Sequence, residues 1–114
     1  MISIREIAWL KGARRDFDDF PAAVRTEAHL APSAAAFGRK ADSAKPMKGM
    51  DGGVFEIALR HRGDAFRVVY AVQIDAALWV IHAFQKKSKS GIKTPKMEID
   101  LIRERLNRLK ETLK

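Results

Sequence analysis

The spacing of apolar positions changes twice along this chain, and the changes divide it into segments. Ala13, Phe17 and Phe20 recur at i, i+4 and i+7, which predicts a short amphipathic helix from about Lys11 to Phe20. Pro21 suits the first turn of a second helix, where its missing N–H would be unpaired anyway. Val24, Ala28, Ala31 and Ala35 continue the helical spacing. Pro32 interrupts it, because an interior proline removes a backbone hydrogen bond and clashes with the preceding turn. A kink or an early end near Leu30 is expected, with Gly38 as the latest stop.

Asp42 to Gly53 holds Pro46, Gly49, Gly52 and Gly53 and reads as a loop. Beyond it the period becomes two. In Val54 to Arg60, Phe55, Ile57 and Leu59 share one face, while Glu56, Ala58 and Arg60 share the other. His61, Arg62, Gly63 and Asp64 supply a turn. From Ala65 to Ile74, Phe66, Val68, Tyr70, Val72 and Ile74 face one way, with Arg67, Val69, Ala71 and Gln73 opposite. Ala77 to Phe84 is apolar on both faces and predicts a central strand. Strands joined this closely make an antiparallel meander, to which Ile2 and Ile4 are candidates for an edge strand.

The helical period then returns. After a polar loop from Lys86 to Lys93, Thr94 is placed as an N-cap, Pro95 as the first helical residue, and Glu98 where the helix dipole favours an anion. Ile99, Ile102, Leu106, Leu109 and Leu113 form the apolar stripe of a last helix. The order predicts an α+β fold: a small antiparallel sheet of three to four strands, with two N-terminal helices and a C-terminal helix. At 114 residues the chain is one domain, 1–114.

Composition narrows the function classes. There is no cysteine, which excludes disulfides, zinc–thiolate sites and cysteine nucleophiles. The segment from Met1 to Lys11 alternates apolar and charged residues and lacks the apolar run of a signal peptide. No stretch approaches the ~18 apolar residues of a membrane span. A soluble protein of the cytoplasm is therefore expected, with no membrane partner. The formal charge is +8, from 22 Lys and Arg against 14 Asp and Glu, and such a surplus attracts polyanions. It is locally concentrated. Between Ala76 and Met97 there is no acid, yet Lys86, Lys87, Lys89, Lys93 and Lys96 fall there beside His82. A second basic run holds Arg39, Lys40, Lys45 and Lys48.

Enzyme signatures are sparse. Glycine-rich phosphate loops, nucleophile elbows and paired-histidine metal motifs are missing, and His29, His61 and His82 lie far apart, so neither a metal nor another cofactor is expected. Tyr70 lies on the core face, where packing explains it better than base stacking, and Trp79 is read as packing as well. His82 shares a parity with Leu78, Val80 and Phe84, the pattern of a core or edge histidine. Arg67, opposite the apolar set, is expected on an open sheet face. Cleavage of RNA does not require a metal: a 2′-hydroxyl attacks the adjacent phosphate when a base takes its proton, cations stabilise the charge and an acid protonates the leaving oxygen.

Two runs carry a family resemblance: Phe66, Arg67, Val68, Val69 and Tyr70, then His82, Ala83, Phe84, Gln85, Lys86 and Lys87. With Lys45-Pro46-Met47-Lys48-Gly49, Phe20-Pro21 and the Thr94-Pro95 helix start, the chain resembles the phage-derived, HigB-like branch of the RelE toxin superfamily. The resemblance covers roughly Phe20 to Arg105. It implies helices on one side of a small sheet and a basic concave surface on the other. It also implies a toxin that cleaves mRNA in the ribosomal A site and is silenced by a cognate antitoxin, typically a small helix-turn-helix protein. By position, Arg67 matches the arginine that stabilises the scissile phosphate, and Lys86 and Lys87 match the basic pair after the last strand. Lys87 stands where arginine is usual, replacing a bidentate fork by a point charge. A tyrosine that some members carry near the C-terminus has no counterpart, which leaves His82 and Lys86 as candidate bases. Arg67, Lys86, Lys87 and His82 are thus the expected catalytic residues, and Lys48, Lys45, Arg60 and Lys89 the expected RNA-binding ones. The alternative is a non-catalytic RNA- or protein-binding module on the same scaffold.

Overall fold

The computed structural model describes residues 6–36, 44–47, 49–50, 53–86 and 94–113, with Lys86 described by its backbone alone. The expectations for Ile2, Ile4, Gly38, Lys48, Lys87, Lys89 and the Lys86 side chain lie outside the described residues.

Elements follow in the order β1 (Ile7–Trp9), α1 (Lys11–Asp18), α2 (Ala22–Ala28), α3 (Leu30–Ala36), β2 (Ala44–Pro46), β3 (Val54–His61), β4 (Asp64–Ala71), β5 (Leu78–Lys86) and α4 (Lys96–Thr112). Five strands form one sheet in the order β1-β5-β4-β3-β2. The predicted meander β3–β4–β5 is antiparallel throughout. The sheet is nevertheless mixed, because β1 runs parallel to β5 at one edge. The other edge, β2, forms inside the segment expected to be a loop: Ala44, Lys45 and Pro46 pair with Ile57, Glu56 and Phe55. A proline fits there because its missing N–H is tolerated on an edge strand.

The β3–β4 hairpin closes through Arg62 and Gly63, whose φ angles of 53° and 85° are both positive. Positive φ at both central residues matches the right-handed twist of the flanking strands. Pro32 has the effect expected of it. The helical run breaks at His29 and restarts at Leu30, which puts Pro32 in a first turn, where no N–H is required.

Helices cover both faces of the sheet, not one. On the first face, Ala13, Phe17, Phe20, Val24, Ala28 and Ala31 bury against Ile57, Leu59, Phe66, Val68, Tyr70, Leu78, Val80 and Ala83. On the second, Ile102, Leu106 and Leu109 of α4 bury against Val54, Val69, Ala71 and Ile81. Tyr70 is a core residue, as its parity suggested, and burial pushes its phenol pKa up. The expectation drawn from the resemblance, helices on one side of the sheet only, is therefore corrected: α4 packs on the other side.

One irregularity decides which way β5 points its side chains. Tyr70 pairs with Val80 but Val69 pairs with His82, so Ile81 is an extra residue, a β-bulge. Across the bulge the alternation slips by one. Leu78, Val80 and Ala83 face the first core, whereas Ile81 joins the second and His82 is paired with Val69 of that same core. The parity that grouped His82 and Phe84 with Leu78 and Val80 assumed an unbroken pleat, and the bulge overturns it.

Candidate functional site

Registry builds the site row by row on the second face, from beneath the start of α4 toward the β3–β4 turn. Lys45, Glu56, Val69 and His82 are successive cross-strand partners over β2, β3, β4 and β5. The next row is Ala58, Arg67 and Phe84, and the row nearest the hairpin turn is Arg60, Ala65 and Lys86. Strands lie about 4.8 Å apart, so the ends of a three-strand row are roughly 10 Å apart.

Arg67 is on the predicted face but is not open. Its side chain is 9% exposed. Its Nη1 donates to Glu56 Oε1 at 2.8 Å and to the Thr94 hydroxyl at 3.3 Å. That hydroxyl in turn donates to Glu56 Oε2 at 2.5 Å, closing a triangle of charge-assisted bonds. The expectation of a solvated sheet-face arginine is therefore corrected. A guanidinium at the middle of a five-stranded sheet needs a counter-ion, and Glu56 supplies it from the neighbouring strand. The same triangle corrects the reading of Thr94. It lies one residue outside the α4 N-cap, which is Pro95 with no side-chain capping bond, and its hydroxyl turns to Glu56 instead.

A second network stands beside the first. His82, 2% exposed, lies between two α4 residues. Arg105 Nη1 approaches Nδ1 at 2.8 Å, and Glu98 Oε2 lies 3.2 Å from Nε2. Arg105 also donates to the Ile81 carbonyl, at the bulge itself, at 3.1 Å. Burial pushes the His82 pKa below the usual value. The Glu98 hydrogen bond and charge pull upward, Arg105 pulls downward, and Asp16 pulls weakly upward. Expected among the catalytic residues, His82 is enclosed, with both ring nitrogens engaged.

Phe84 is half-buried, and its ring stacks on the His82 imidazole at 5.2 Å and 24°. Lys45 and Arg60 are exposed on β2 and β3. Lys86 is the last residue of β5, and its backbone pairs with Ala65. The structure thus brings Arg67, His82, Lys45, Arg60 and the Lys86 backbone onto adjoining strands. It adds Glu56, Thr94, Glu98 and Arg105, none of which was foreseen as a site residue. Glu98 and Arg105 had one legible signal: a spacing of seven puts them on one helix face. Among the described residues, no cluster of His, Cys, Asp and Glu fits a metal ion, and no helix is long and apolar enough to cross a membrane.

A family model described as phage-derived protein Gp49-like matches residues 15–107. Among solved structures, the free state of a double arginine-to-alanine mutant of the Escherichia coli toxin RelE is similar, with a TM-score of 0.59 at 16% identity. That similarity covers 95% of this chain and 98% of the other. The RelBE2 toxin–antitoxin complex of Mycobacterium tuberculosis is similar over 77% of this chain and 98% of its own, at 17% identity and a TM-score of 0.49. No curated protein sequence matches the chain.

Proposed function

The chain belongs to the Gp49-like family of phage-derived proteins and has the RelE fold, and on that premise we propose that it is the toxin of a toxin–antitoxin pair, a metal-independent endoribonuclease that cuts mRNA on the ribosome. The observation that carries the reading is Arg67, a cation fixed by Glu56 and Thr94 on a sheet face where exposed Lys45 and Arg60 also stand.

In such a reaction the 2′-hydroxyl attacks the adjacent phosphorus while a base removes its proton. The bond to the 5′-oxygen breaks, an acid protonates that oxygen, and a 2′,3′-cyclic phosphate is left. Charge builds on the non-bridging oxygens in the transition state. A cation that is already oriented stabilises that charge without reorganising, and this is the role assigned to Arg67. Lys86 and Lys87 are assigned the proton transfers and the leaving group, with Lys45, Lys48, Arg60 and Lys89 along the RNA backbone. His82 is assigned a positioning role, holding Arg105 and Glu98 of α4 against β5. The RelE relatives are a toxin and a toxin–antitoxin complex. A cognate antitoxin, expected as a small helix-turn-helix protein, is the proposed partner in the cytoplasm.

One observation favours the alternative, a non-catalytic RNA- or protein-binding module. Glu56 already balances Arg67, so a substrate phosphate has to compete with a carboxylate for it. The test separates the two readings. Expression of the chain alone should arrest growth, and primer extension should map cuts at A-site codons that persist in EDTA. Normal growth with intact messages, at confirmed soluble expression, would leave the binding module as the better description.

A further inference from the structure

Phe84 stands out among the aromatic residues of the sheet because it belongs to neither apolar cluster among the described residues. Phe66 and Tyr70 fill the first core, and Trp79 packs against the second with its indole N–H on Asp75. Phe84 is only half-buried. It projects on the second face, in the row that runs Ala58, Arg67, Phe84.

Its surroundings define what it fits. The ring is backed by His82, which is buried and held by Glu98 and Arg105, so the aromatic plane is braced from beneath. Arg67 is its cross-strand neighbour. Across Arg67 lies Ala58, small and exposed, so among the described residues no bulky side chain fills that end of the row. Exposed Arg60 and Lys45 place positive charge on the same face. A flat apolar ring beside a fixed cation and exposed ones matches one repeating chemistry, a planar base joined to an anionic backbone. An apolar peptide would leave the cations unmatched. A duplex would keep its bases stacked on one another and out of reach of the ring.

We propose that Phe84 is a stacking platform for one unpaired nucleobase of single-stranded RNA, whose adjoining phosphate lies toward Arg67. This deepens the proposed function and rests on it in one respect, the choice of RNA as the polyanion. Recognition through a ring face accepts any base, so the platform gives affinity and alignment in place of sequence preference.

The test uses the full chain with Phe84→Leu, which keeps an apolar side chain but removes the aromatic face, and Phe84→Trp, which enlarges that face. The probes are an unstructured oligouridylate, an oligoadenylate of the same length, and an RNA duplex. Alanine substitutions at stacking sites cost about 1–3 kcal/mol per base, equivalent to a roughly 5- to 150-fold loss of affinity. Phe84→Leu should weaken binding of both single strands within that range and leave duplex binding unchanged. Phe84→Trp should bind at least as well as the wild type. Its fluorescence, after subtraction of the wild-type signal from Trp9 and Trp79, should be quenched by single strands and not by duplex. Wild-type affinity in Phe84→Leu, or equal quenching by duplex, overturns the platform. If Phe84→Leu unfolds, the quenching experiment alone decides. Stacking without mRNA cleavage would sink the toxin reading and leave the platform standing. Cleavage with wild-type binding in Phe84→Leu would do the reverse.

Discussion

Arg105 donates from Nη1 to Nδ1 of His82 at 2.8 Å, and that contact fixes the proton on the other ring nitrogen. A guanidinium has only donors, so Nδ1 must accept, and the neutral ring must carry its hydrogen on Nε2, facing Glu98 at 3.2 Å. Protonating the ring would set an N–H against Arg105. Burial opposes protonation for a separate reason, the loss of solvation of the charged form.

That arrangement predicts how stability depends on pH. The folded His82 pKa lies below the unfolded value of about 6.5, so between the two the unfolded chain binds more protons than the folded one. The His82 contribution should be complete above pH ~6.5 and be lost as pH falls toward the folded pKa. Urea midpoints measured from pH 8 to pH 5 at constant ionic strength should decline in this window for the wild type. For His82→Asn the decline should be smaller. Identical slopes would mean that the ring titrates alike in both states.

Gly12 allows a finer test of the same contact. A Cβ built there would lie 2.5 Å from Nη2 of Arg105, so Gly12→Ala forces the guanidinium to move. Removing its charge from the imidazole removes a downward influence, and the His82 pKa should rise. Ring-proton NMR titration reads this directly. The direction is useful because glycine to alanine in a helix would otherwise stabilise by about 1 kcal/mol, and a helix effect alone predicts no shift at His82.

Arg67→Ala should destabilise the fold, in contrast to what an open-face arginine would do. It strands Glu56, whose side chain is 18% exposed, beside a buried strand. Losing a bond to a charged group costs about 1.5–3 kcal/mol, and the partial exposure of Glu56 places the expected value toward the lower end. Glu56→Gln should cost less, because the amide oxygen still accepts from Arg67. In a double-mutant cycle with Arg67→Ala and Glu56→Ala, the pair should recover part of the sum. Strict additivity would show that the triangle does not act as a unit.

The hairpin turn carries a local backbone test. Arg62 adopts φ 53° and Gly63 φ 85°. Gly63→Ala should destabilise by about 1 kcal/mol or more, as for any side chain forced into that region. Arg62→Asn should be neutral or stabilising, since asparagine tolerates the left-handed conformation better than arginine. The thermal midpoint should therefore fall for Gly63→Ala and hold or rise for Arg62→Asn, with cleavage unaffected by Arg62→Asn.

The pairing faces of the β3–β4 hairpin were legible because alternation is a local signal, although β4 ends at Ala71, three residues before the expected Ile74, which packs on the second core instead. The last helix was legible for the same reason. What escaped the sequence were relations between segments. Thr94 had the composition of a cap, and only the approach of Glu56 from 38 residues away diverts its hydroxyl. Arg67 carried the right periodicity for an open face, but exposure depends on what α4 covers. The edge strands β1 and β2 are each three residues long, too short for any period to declare itself.

The extra residue at Ile81 works like a change of reading frame within one strand. Before it, the odd and even positions of β5 have one assignment of sides; after it, the assignment is reversed, and pairing with β4 resumes on the far side. A single extra codon taken up at such a point therefore leaves every residue downstream on its own side and opposite its own β4 partner, while reversing its count along the strand. In this chain the residues so preserved include His82 and Phe84. The chemistry of the second face is thus set by pairing with β4 and not by the count of residues along β5.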